Sequence, residues 1–322
     1  EIHMRTTFIK LTALAAILAP ALAILVSTAQ ADSFGSGTNA FTIDFVAIGD
    51  AGNAADSTGY GAVSYNYRIA TYEVSQNMLT KAYAGGLTNV AGGSWSGDKS
   101  ATQDWYDAAA FVNWLNTSTG HTNAYDLTWN GSAWSMSLWS SGDAWQAGGE
   151  NLYRHKDAYY FLPSENEWYK AAYYNGTNYY DYATGSDVAP TAVASGTASG
   201  TAVYNGSFFQ GPADVNDAGG LSPYGPMAQS GNVWEWSESA YDGTNSSGSE
   251  PRAYRGGSFY DNDATFLSSS YRDSDSPDYI SATLGFRVAS IPEPSTYALL
   301  ALGGLGTLLL KRRRKQSAAS KR

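Results

Sequence analysis

Residues 231–236 read Gly-Asn-Val-Trp-Glu-Trp, a tight Gly-Asn turn carrying two tryptophans and a glutamate, in a chain of 322 residues that has no cysteine. Such a cluster is either the edge of a reactive site or part of a packed scaffold, and the surrounding sequence has to decide between them. Composition narrows the setting. With 34 Gly, 24 Tyr and only 15% charged residues, the chain reads as loop-rich and aromatic-rich rather than as a helical bundle, while 43% hydrophobic residues supply a real core.

Three local signals mark helices. Ser75 caps a short one that runs to about Tyr83 and closes at Gly85-Gly86. Asp104 caps a second from Trp105 to about Asn116, where Ala108, Phe111, Val112 and Leu115 share one face. Ser164 and Glu167 form a capping box for the third, which ends near Gly176 with Trp168 and Ala172 inward. Strands are expected in FTIDFVAIGD (41–50), YNYRIATYEV (65–74), RAYRGGSFYD (252–261) and LGFRVAS (284–290). Asn130-Gly131 sits between alternating aromatic positions and predicts a two-residue β-hairpin turn. Residues 183–232 carry no periodicity long enough for a regular element. One domain is expected over residues 32–290.

The two ends read as sorting signals. From Met4, Arg5 and Lys10 precede an apolar run that ends at the small-x-small site Ala29-Gln30-Ala31, the pattern of a secretory signal peptide over residues 4–31. Residues 291–322 hold Pro292-Glu293-Pro294, a short apolar stretch from Tyr297 to Leu310 and five consecutive basic residues, Lys311 to Lys315. The apolar stretch is marginal for crossing a bilayer of ~30 Å, and the basic cluster would hold its end in the cytoplasm. Between residues 32 and 294, ten Lys and Arg face 28 Asp and Glu, a formal charge of −18. Nucleic acid is excluded as a natural partner for that surface.

The C-terminal arrangement resembles the PEP-CTERM sorting tail of Gram-negative bacteria. The resemblance implies signal peptidase and exosortase as processing partners, transient membrane association through the tail, and a final place at the cell surface or in the extracellular matrix. The ordered pieces DWYDAAAFVNWLN, YFLPSENEWYKAAYYNG, GNVWEW, RGGSF and GFRVAS resemble the formylglycine-generating enzyme or sulfatase-modifying factor superfamily over about residues 67–290. That likeness implies an irregular α+β fold related to C-type lectins, loop-rich, with short helices and small antiparallel sheets. It implies copper-dependent oxidases, iron-dependent enzymes and surface proteins as relatives.

The oxidases of that superfamily hold copper with two cysteines, three and eight residues after the Ser of Gly-Gly-Ser. Here those positions are Asp261 and Phe266, neither of which supplies a soft thiolate, so no copper site and no formylglycine chemistry are expected. His121 and His155 are too far apart in sequence to suggest an iron-binding pair. The likeness to calcium-bound members offers Gly231, Val233 and Glu235 as ligands, with calcium as the one cofactor expected. Ala228 stands where the superfamily has Asn or Asp, so that set lacks a ligand unless Gln229 replaces it. The other reading makes Trp234 and Trp236 core residues and pairs Glu235 with an arginine. Arg255 and Arg287 are expected to tie strands to carbonyls and carboxylates. The functional reading is an exported, non-catalytic surface or matrix protein that binds an extracellular polysaccharide or surface protein, through loops over 179–224 and 260–279 and the acidic set Asp261, Asp263, Asp273, Asp275 and Asp278. The alternative is a metal-dependent oxidoreductase of the same superfamily with a non-cysteine site.

Overall fold

The computed structural model describes residues 30–292; the expected signal peptide up to residue 29 and the tail beyond residue 292 lie outside it. The chain opens on β1 (Gln30–Phe34) and β2 (Phe41–Ile48), joined by a 3-10 turn over Gly37–Asn39. β2 alternates as FTIDFVAI should, with Phe41, Ile43, Phe45 and Ile48 buried and the polar positions outward. β3 (Tyr67–Ala70) follows, shorter than its apolar run, because Ser75 already starts α1 (Gln76–Ala84) by accepting from the Met78 N–H. α2 (Trp105–Ser118) starts at Asp104, whose side chain accepts from the Asp107 N–H.

β4 (Asp126–Trp129) and β5 (Trp134–Ser137) form the expected hairpin, but with a four-residue loop. A two-residue turn at Asn130-Gly131 would set Trp129 opposite Ser132. The observed register sets it opposite Trp134 instead, the two indoles packing edge to face at 5.2 Å, while Asn130 Oδ1 accepts from the Ser132 and Ala133 N–H groups. β6 (Ala144–Trp145), β7 (Asn151–His155) and β8 (Tyr160–Phe161) lead to α3 (Glu165–Tyr173), whose Ser164–Glu167 capping box is complete and whose Trp168 and Ala172 are buried. β9 (Thr191–Val193) and β10 (Thr201–Val203) are short and parallel. β11 (Trp234–Ala240), β12 (Arg252–Arg255), β13 (Asp273–Asp275), β14 (Leu284–Gly285) and β15 (Ala289–Ser290) complete the order.

The strands gather into a five-stranded antiparallel sheet in the order β1-β2-β3-β15-β8 and a four-stranded sheet in the order β13-β12-β11-β14. LGFRVAS, expected as one strand, is therefore divided: β14 joins β11 in the second sheet and β15 joins β3 and β8 in the first. Gly285 is where the close approach occurs, since a Cβ there would meet the Ala101 carbonyl oxygen at 2.8 Å. The result is an irregular α+β fold of three short helices and small, mostly antiparallel sheets among the described residues. Pattern reading missed β1, β6–β8, β11 and β13, and β9 and β10, each too short to show a period, fall in the stretch 183–232 where no regular element is expected. In β1, Asp32 is buried against Arg68 at 2.6 Å, and Arg68 also donates to Ser290 of β15, so one guanidinium joins the first and last strands.

Candidate functional site

The Gly-Asn turn enters β11 with Gly231 at φ 91° and Asn232 at φ 61°, left-handed values that suit these two residue types. A Cβ on Gly231 would fall on the Val203 carbonyl oxygen. Parallel pairing with β14 sets Glu235 opposite Gly285, and Arg287, two residues on, grips the Glu235 carboxylate through Nε and Nη2, both at 2.5 Å. The pair is fully buried, and Trp168 Nε1 donates to the same carboxylate at 2.7 Å. Arg287 also donates to the carbonyls of Ala70 and Met227. Asn232 turns the other way and donates at 2.5 Å to Glu73, which also accepts from Ser100 Oγ and from the Val233 N–H. Burial first, and then the Glu235 charge, push the Glu73 carboxyl up to about 8.

Gly231, Val233 and Glu235 thus lie together, yet the surrounding charges do not fit a calcium ion. The only carboxylate of the three has a guanidinium against both oxygens, and like charge disfavours a divalent cation beside it. Gln229 donates its amide to the Trp168 carbonyl and keeps an unpartnered, buried Oε1, one neutral oxygen where a further charged ligand would be needed. Ala228 is buried at φ 65°. Among the described residues, no group of three or more His, Cys, Asp or Glu is placed to hold a metal ion.

Two further buried ion networks flank this one. Arg255 donates to Glu165 at 2.7 Å and to the carbonyls of Ser269 and Tyr271, and Arg272 closes on the same Glu165 through Nε and Nη2. Arg154, fully buried, stands between Glu167 and Glu238, 2.8 Å from each. Burial alone would raise Glu167, but Arg154 and its hydrogen bonds hold that carboxyl below its ordinary range.

The positions at which the likeness requires thiolates serve packing here. Asp261 Oδ2 accepts from the Ser258 N–H at 2.7 Å and from Ser258 Oγ at 2.8 Å, fixing the turn after Gly256-Gly257. Phe266 packs edge to face on Tyr271, 4.9 Å between centroids, and on Trp234. His121 stacks on Tyr159 while His155 lies against Trp139, in separate surroundings. Asp273 and Asp275 sit in β13, where Asp275 accepts from Tyr254; Asp278 accepts from Ser276, so the three acids do local work rather than converge. What the loops do present is aromatic surface. Phe209 is 97% exposed, Tyr260 54% and Phe208 45%, with Phe208 packed edge to face on Tyr260 and against Trp95.

A model of the sulfatase-modifying factor enzyme 1-like domain matches residues 62–291, well over half of the chain. The chain belongs to this family. A second model, the PEP-CTERM protein-sorting motif, matches residues 290–315, which makes this an exported protein whose membrane-anchored precursor is processed by exosortase. Among solved structures the chain is similar to Treponema denticola variable protein 1, at 22% identity over 82% of this chain and 100% of that one, with a TM-score of 0.56. It is also similar to CarF, at 21% identity over 78% of this chain and 99% of that one, with a TM-score of 0.53. These likenesses concern the fold. No curated protein matches.

Within this sulfatase-modifying factor domain, sequence reading found the Glu235 turn and the roles of Arg255 and Arg287, but missed Arg154 and the exposed Phe208-Phe209 pair. A signal for the second existed: two adjacent phenylalanines inside the Gly, Ser and Asn-rich run NGSFFQG (205–211) have no periodic face to join. For Arg154 no local signal existed.

Proposed function

We propose that this domain binds an extracellular ligand, a matrix polysaccharide or surface protein, and carries out no redox chemistry. The observation that carries the reading is the exposed aromatic group of Phe208, Phe209 and Tyr260, in loops 179–224 and 260–279. Rings held at this exposure lose apolar hydration when covered, and a soluble domain presents such a group where something docks. Two facts support the negative half. Asp261 and Phe266 are committed to a turn and to an aromatic cluster, and the nearby carboxylates Glu73 and Glu235 have their oxygens occupied by protein donors. The formal charge of −18 between residues 32 and 294 favours a neutral or cationic ligand.

The test is retention of material from the host's extracellular matrix on immobilised mature protein, compared with the triple variant Phe208→Ala, Phe209→Ala, Tyr260→Ala. Wild type is expected to retain a polysaccharide or protein that the variant loses at unchanged thermal midpoint. Equal retention by both, or turnover of a thiol substrate with bound iron or copper, would overturn the reading.

A further inference from the structure

A cleft of about 400 Å³ opens between the Gly52–Tyr65 loop, the Trp145–Asn151 segment, the start of α3 and Asn245. Its volume falls within the roughly 300–1,000 Å³ of small-molecule sites. Two rings form the wall, Tyr65 and Trp145, 5.5 Å apart and inclined at 69°. The floor is Arg154, and its charge is not available to a ligand: Nε and Nη2 donate to Glu238, Nη1 and Nη2 donate to Glu167, and Phe161 covers the guanidinium at 3.6 Å. Glu238 accepts further from Tyr125 and Asn151, and Glu167 from Tyr65 and the Ser164 N–H.

The groups left over are the exposed carboxylate of Glu150 and two amide donors of fixed orientation. Asn166 Oδ1 accepts from the Gly61 N–H at 3.0 Å, which turns its amide nitrogen, unengaged by any described residue, into the donor end; Asn166 itself is exposed. Asn245 Oδ1 accepts from the Ala240 N–H at 2.9 Å, and its nitrogen uses one hydrogen on Asn151, keeping the second. Ring walls, fixed N–H donors and a floor whose one cation is held by two carboxylates suit a neutral ligand of hydroxyl groups on a flat apolar face. A phosphate or carboxylate finds no free cation here, and an apolar group finds a polar lining. We propose that this cleft binds a short neutral saccharide, its ring face against Trp145 and Tyr65 and its hydroxyls accepting from Asn166 and Asn245. The site uses none of the aromatic-loop residues, so either proposal can fail alone.

The experiment is calorimetric titration of the mature protein with neutral di- and trisaccharides of glucose, galactose, mannose and N-acetylglucosamine, each separately. At least one is expected to bind. Trp145→Ala should weaken it by about tenfold or more. The exposed Asn166→Asp, which keeps the acceptor for Gly61 but replaces the donor by a carboxylate, should weaken it by about fivefold or more without lowering the thermal midpoint. Phe209→Ala should leave it unchanged. Failure of every saccharide to bind, binding that survives both cleft variants, or capture of a basic peptide in place of any saccharide would each overturn the proposal.

Discussion

Arginine is how this protein stabilises a loop-rich interior without disulfides. Arg68, Arg154, Arg255 and Arg287 are buried against carboxylates, whereas Arg252 lies between the rings of Trp105 (4.3 Å) and Tyr153 (3.7 Å) with the Gly248 carbonyl as its acceptor. Burial lowers the Arg252 pKa, as expected for a cation held by π-faces rather than by a full negative charge. Glu235→Ala would strand the Arg287 charge in the core, and we expect it to cost roughly 3–5 kcal/mol in chemical denaturation. A loss under about 1 kcal/mol would show that Arg287 finds other partners. Because Arg287 already holds Glu235, adding or chelating calcium is expected to leave the thermal midpoint where it is. A calcium-dependent rise that Glu235→Gln removes would restore Gly231, Val233 and Glu235 as a metal site. The turn itself was legible, since Gly and Asn before alternating aromatics specify left-handed backbone. The partner of Arg154 was not: Glu167 and Glu238 lie 13 and 84 residues away in sequence.

Elements whose signals are local were readable, and those that depend on distant pairing were not. α1, α2 and α3 each begin at a side-chain cap visible in the sequence. β1 has no such mark, and the division of LGFRVAS between two sheets depends on β11 on one side and on β3 and β8 on the other. The cap of α2 supplies a test. Burial, then the neighbouring Asp107, raise Asp104 from 3.8 to about 7. A carboxyl whose pKa is raised by folding binds its proton more tightly in the native state, so the stability it contributes is present at low pH and declines as pH rises through that interval. Asp104→Asn keeps the cap and removes the titration. Thermal midpoints from about pH 4.5 to about pH 7.5 should fall more for wild type than for the variant. A parallel decline in both would assign the pH dependence elsewhere. Ser164→Ala, which breaks the capping box of α3, should cost about 1 kcal/mol.

At the scale of the molecule, the distribution of charge and the two ends belong to one account. Six of the ten basic and seven of the 28 acidic residues between 32 and 294 are buried, so nearly all of the formal charge of −18 is carried by the surface. Arg68 ties Asp32 and Ser290 together, so the chain enters and leaves the five-stranded sheet at one buried contact, next to the sorting motif that begins at residue 290. No helix among the described residues is long and apolar enough to cross a membrane, and the apolar stretch of the tail lies outside them. Replacing Pro292-Glu293-Pro294 by alanines is expected to hold the protein in the inner membrane, as judged by cell fractionation; normal release of the variant would contradict the assignment of the tail. The central claim, that a sulfatase-modifying factor domain here binds without oxidising, is tested most directly by incubating the mature protein, with and without copper, with a sulfatase-type cysteine peptide and reading the peptide by mass spectrometry. Asp261 and Phe266 predict that the cysteine remains unchanged under both conditions. Appearance of the aldehyde product would contradict it.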